Sequence, residues 1–121
     1  MKGMVGMKWM VFVGLVAWAA TGPALAQDRH VYVERFINGM AEYSAVLQAC
    51  DRPLEAGNIR ESLKTYLRNV FALNERATQR GVHRYRARAR RFRRGLSDCP
   101  IDRGGTSLNE AVNAAEAWQS R

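Results

Sequence analysis

This chain is poor in the side chains that usually carry out chemistry. Its only histidines are His30 and His83 and its only cysteines Cys50 and Cys99, and neither pair has the spacing of a metal-binding or redox motif. A GxSxG elbow, an HExxH zinc helix, a CxxCH haem site, a Walker loop and an EF-hand loop are all missing. These absences argue against hydrolases of the nucleophile-elbow kind, zinc and haem proteins, P-loop nucleotide enzymes and calcium sensors. The expectation is a non-enzymatic protein with no metal and no cofactor. No repeat of about 20 to 50 residues occurs, which argues against a solenoid. There is no low-complexity tract either, and the composition is that of a globular protein.

Long apolar runs are scarce too. The one long run, Trp9 to Ala20, follows Lys2 and Lys8 and precedes Gly22-Pro23 and Ala24-Leu25-Ala26. A basic start, a short apolar stretch and a small-x-small ending are the parts of a secretory signal peptide, with cleavage expected after residue 26. The run is too short to cross a bilayer comfortably and no second one follows. The expected product is therefore residues 27–121, a single helical domain, periplasmic or secreted, with no integral membrane span. No cysteine follows the cleavage site, which argues against a lipid anchor of the bacterial lipoprotein kind. In an oxidising compartment an even number of cysteines normally pairs, so one disulfide is expected between Cys50 and Cys99.

The apolar residues that remain are spaced for helices. Val33, Phe36, Ile37, Met40, Tyr43, Leu47 and Cys50 recur at three and four, and Asp51-Arg52-Pro53 then breaks the pattern. Asn58 and Glu61 match the start of a second helix carrying Ile59, Leu63, Tyr66, Leu67, Val70, Leu73 and Ala77, and Gly81 is placed to end it. A third stripe runs through Val82, Tyr85, Ala89, Phe92 and Leu96. Ser107 and Glu110 form a capping-box match for a fourth helix, with Leu108, Ala111, Val112, Ala115 and Trp118 inward. Amphipathic helices with short connections bury their stripes against one another, which predicts an all-α fold, a small four-helix bundle stapled by the disulfide.

Acidic residues are in short supply, 11 against 19 basic ones, and the imbalance is local. Eight arginines, Arg80, Arg84, Arg86, Arg88, Arg90, Arg91, Arg93 and Arg94, fall in fifteen positions with no acid and no lysine among them. A helix needing charge only for solubility would be expected to carry interspersed glutamates. The guanidinium fork suits phosphate and carboxylate groups, so these eight are the candidate anion- or partner-binding residues. Arg84, Arg91 and Arg94 are placed near the centre of the arc, farthest from Tyr85 and Phe92.

The expected partner is an acidic envelope protein or an anionic envelope polymer, with peripheral adsorption to lipid head groups as a further option. Nucleic acid ranks below these, because no aromatic side chain is interleaved on the arginine face to stack bases. The alternative is an accessory subunit of an envelope complex whose arginines serve assembly or solubility. Gly104-Gly105-Thr106-Ser107 and the acids Asp98 and Asp102 read as a capped loop and solvated side chains, and His83 as a surface residue.

Overall fold

The computed structural model describes residues 28–121. The chain divides into two units, 1–30 and 31–121, and the second carries the features that follow. The expected signal peptide, residues 1–26, lies outside the described residues. Four helices are present and no strand occurs among the described residues: α1 over 28–49, α2 Pro53–Asn69, α3 Glu75–Arg94 and α4 Ile101–Gln119. The fold is the expected all-α four-helix bundle with one disulfide.

Each helix end has a local cause. After α1 the backbone of Asp51 turns left-handed, at φ 59, and the Arg52 amide donates to the Leu47 carbonyl at 2.9 Å. Pro53 can then open α2, where its missing amide hydrogen costs nothing. Ala72 also adopts a left-handed conformation, φ 54, in the link after α2. Asn74 caps α3 by accepting a hydrogen bond from the Ala77 amide at 2.8 Å. Arg68 and Glu75 clasp across that link at 2.9 Å. The Glu75 carboxyl is held below its ordinary pKa by hydrogen bonds from Gln79 and Arg68.

The helix boundaries correct the expectation drawn from spacing. Asn58 is not a cap, because α2 has already begun at Pro53. The break between the second and third helices falls at 70–74, and Gly81 is a buried interior residue of α3. A Cβ on Gly81 would lie 2.8 Å from Leu67 Cδ1, so this glycine permits the α2–α3 approach and ends nothing. The last helix likewise starts at Ile101, which makes Gly104-Gly105-Thr106-Ser107 helical. Thr106 and Ser107 donate their hydroxyls to the carbonyls of Asp102 and Arg103, four residues back, where no capped loop remains.

The helix α1 sits in the middle. At about 100° per residue, Glu34, Ile37 and Ser44, which meet α3, lie on the opposite side of α1 from Gly39, Tyr43 and Val46, which meet α4. The α4 contact is close: a Cβ on Gly39 would lie 2.6 Å from the Ser107 carbonyl oxygen, and one on Gly104 would lie 2.8 Å from Val46 Cγ1. Both pairings require α1 and α4 to be antiparallel. Between these flanks α1 buries Phe36 against Tyr66 and Phe71, with ring centroids 5.1 and 5.4 Å apart. Leu63 and Leu67 of α2 and Val82 and Tyr85 of α3 complete the core around Ile37. Cys50, just past α1, is bonded to Cys99 in the link after α3.

Candidate functional site

Thr78, Gly81, Val82, Tyr85 and Ala89 are buried and Phe92 is half-buried, so the opposite side of α3 faces outward. The eight arginines are split by this orientation into groups with different surroundings. Arg84 and Arg88 point toward α1. Glu34 receives both: Arg88 donates to its Oε2, and Arg84 Nε lies 3.0 Å from Oε1 as an ion pair without hydrogen-bond alignment. Their side chains are 35% and 24% exposed, which makes this clasp part of the bundle and not of its surface. Arg84 is thus not at the centre of the arc, because α1 approaches the helix on that side.

The other six arginines, Arg80, Arg86, Arg90, Arg91, Arg93 and Arg94, are exposed, and none has an acid partner among the described residues. Arg93 donates to the Leu96 carbonyl at 3.2 Å, closing the C-terminal end of α3. Arg80, Arg91 and Arg94 form an outer crest pointing away from the core. Arg86 and Arg90 lean the other way, toward α2.

There they line a groove of about 460 Å³ whose third cation is Arg60 of α2. The polar part of its wall comes from Ser44 and Gln48 of α1 and Tyr85 of α3, and no carboxylate among the described residues lines it. Ser44, only 2% exposed, accepts from the Gln48 amide at 3.5 Å and lies beside Tyr85 in the wall of the groove. Burial pushes the Tyr85 phenol above its ordinary pKa, against the opposing influence of the Ser44 side chain and the Arg60 and Arg86 charges. Tyr85 therefore stays a neutral donor at physiological pH. The acids nearest in sequence are Glu55, which reaches Arg52 at 3.7 Å, and Glu61, which reaches Arg60 at 3.9 Å and Lys64 at 3.8 Å.

Arg60, Ser44 and Gln48 were not apparent as site residues in the sequence. They became visible only with the packing of α1 and α2 beside α3, which the spacing of apolar residues does not specify. His83 is exposed on α3, and Asp98 and Asp102 are exposed around the link to α4. Among the described residues no group of three His, Cys, Asp or Glu side chains could hold a metal ion. No described helix is long and apolar enough to cross a membrane. Compared with family models, curated proteins and solved structures, the chain finds no match.

Proposed function

We propose that this is a small exported, non-enzymatic helical protein that docks an anionic envelope partner, an acidic protein or a polymer, through the outer arginines of α3. The observation that carries this reading is the set of six exposed arginines without acid partners on one helix. Like charges this dense repel one another, and an anionic surface relieves that repulsion while accepting hydrogen bonds from guanidinium forks. The sorting of the side chains favours the same reading. The one nearby acid of α1, Glu34, pairs with two arginines, and the remainder are left to solvent. The apolar stripe of α3 is turned into the bundle, which favours adsorption at the periphery of a membrane over insertion into one. Export rests on the pattern of residues 1–26, and the Cys50–Cys99 disulfide fits an oxidising compartment.

The test is retention of envelope components on the immobilised protein at low and high salt. The crest variant R80Q/R91Q/R94Q is compared with the parent; Arg84 is left intact because it belongs to the Glu34 clasp. Retention that falls with salt and is largely lost in the variant supports docking. Equal retention by both proteins overturns it. The accessory-subunit alternative draws support from Arg84 and Arg88, which already serve internal assembly. It predicts a stoichiometric partner that resists high salt.

A further inference from the structure

We infer that the groove between α2 and α3 is a binding site for a phosphate monoester, gripped by Arg60, Arg86 and Arg90 and lined by Ser44, Gln48 and Tyr85. The inference rests on the anion-docking reading above and narrows it to one place and one chemistry. The groove sits on the flank of α3, away from the crest arginines that would meet a broad surface.

Three features of the groove select the ligand. All three charged groups are guanidiniums, which donate and never accept, so the ligand must be rich in acceptors. A single fork satisfies both oxygens of a carboxylate, and even with Glu61 3.9 Å from Arg60 this would leave one of the groove's cations without a partner. A phosphate monoester carries a charge near −2 and three terminal oxygens, enough to engage more than one fork at once. A diester, with two free oxygens and a single charge, fills the set less well.

The second feature is the polar wall, buried at Ser44 and Tyr85 and exposed at Gln48. Ser44, hydrogen-bonded by Gln48, and Tyr85 hold hydroxyls in a place where a purely structural groove would carry methyl groups. These groups supply neutral hydrogen bonds that orient an ester beside the cations. The third is size and remaining lining. About 460 Å³ is enough for a body the size of one sugar ring or a lipid head group, and Pro53, Ala56 and Ala89 give that body an apolar side to lie against. The same dimensions are too small for a helix or a folded surface.

The experiment titrates the full exported protein, in phosphate-free buffer, with glucose 1-phosphate, glucose and succinate by calorimetry. In parallel it measures sedimentation with phosphatidylcholine vesicles that contain or lack phosphatidic acid, whose head group is a monoester. Two variants accompany the parent: R86Q/R90Q in the groove and R91Q/R94Q on the crest. All four substituted arginines are exposed, and helical circular dichroism checks that each variant is folded. The expected result is saturable one-to-one binding of at least one monoester probe, weakened at least tenfold in R86Q/R90Q and within twofold of the parent in R91Q/R94Q.

Binding of glucose 1-phosphate alone assigns a free phosphate ester, and binding of the vesicles alone assigns a head group. No binding of either monoester, succinate binding as tight as that of the ester, or equal losses in the two variants overturns the inference. If the monoesters fail while envelope components are still lost from R80Q/R91Q/R94Q, the groove assignment alone is wrong and the docking reading stands.

Discussion

Gly39 is the residue at which one added methyl group tests the packing most directly. In the Gly39→Ala variant the new Cβ would sit 2.6 Å from the backbone oxygen of Ser107 and 2.9 Å from the Ala111 Cβ. Ordinary contact begins at 3.4 Å, so α1 and α4 must part locally by roughly 0.8 Å. The obstacle is backbone, which cannot swing aside as a long side chain can. Overpacking of this kind costs about 1–3 kcal/mol, and its upper end applies here. Against it stands the gain of about 1 kcal/mol from replacing glycine by alanine inside a helix. The net expectation is a loss of about 2 kcal/mol.

Gly105 supplies the control, because it is also helical and a Cβ there meets nothing within 4 Å. Gly105→Ala should gain up to about 1 kcal/mol from the same change in chain entropy. The assay is urea and thermal unfolding followed by helical circular dichroism, with the disulfide intact in every sample. For a domain of this size about 2 kcal/mol moves the thermal midpoint by roughly 10 °C, so the two variants should fall on opposite sides of the parent. A Gly39→Ala midpoint at or above the parent, with Gly105→Ala raised as expected, would refute the close approach of α1 to α4.

Four further outcomes are expected. Replacing Cys50 and Cys99 together by Ser should lower the stability by a few kcal/mol, with about 4 as the entropic ceiling for a separation of 49 residues, read as a shift in urea midpoint. Glu34→Gln should cost about 2 kcal/mol in the same assay by leaving the half-buried Arg84 and Arg88 without their carboxylate, whereas R91Q/R94Q should stay within about 0.5. Ala72→Gly should raise stability by about 1 kcal/mol, since only glycine adopts the left-handed conformation there without strain, and no change in midpoint would show that Ala72 is unstrained. Because burial raises the Tyr85 pKa in the folded state, its contribution to stability is fully present below about pH 10 and is lost as pH rises through the folded value. Urea midpoints between about pH 9 and 11 should therefore fall more steeply for the parent than for Tyr85→Phe.

The class of fold was legible because the apolar spacing is helical almost throughout, and the bridge because only two cysteines exist. The link at 70–74 was not. Val70, Leu73 and Ala77 continue the stripe of α2 without interruption, and neither glycine nor proline marks the turn. Asn74 followed by Glu75 was the available sign, a cap residue with an acid in the first turn. Glycine misled in the other direction. Gly81 resembles a helix stop and Gly104 a loop residue, yet both lie where two helices press together, and their lack of a side chain serves the neighbour. The arginine segment was visible as a whole. Its division into a clasp, a crest and a groove flank depends on which helices lie beside it, and this follows from the position of α1 between α3 and α4.

That central position of α1 gives the molecule an electrical polarity. The helix on one flank, α3, carries nine arginines and one glutamate, while α4 on the opposite flank carries three acids and one arginine. With α1 as a spacer between them, the two charge sets cannot neutralise each other at short range, and the domain has a permanent dipole directed from α4 to α3. In the field near an anionic surface such a body experiences a torque as well as an attraction. On the docking reading proposed above, the body turns before it arrives, so that α3 leads and more encounters begin in the docking orientation than net charge alone would provide. The acids of α4 are then left facing the bulk, where they repel anything anionic that approaches from behind.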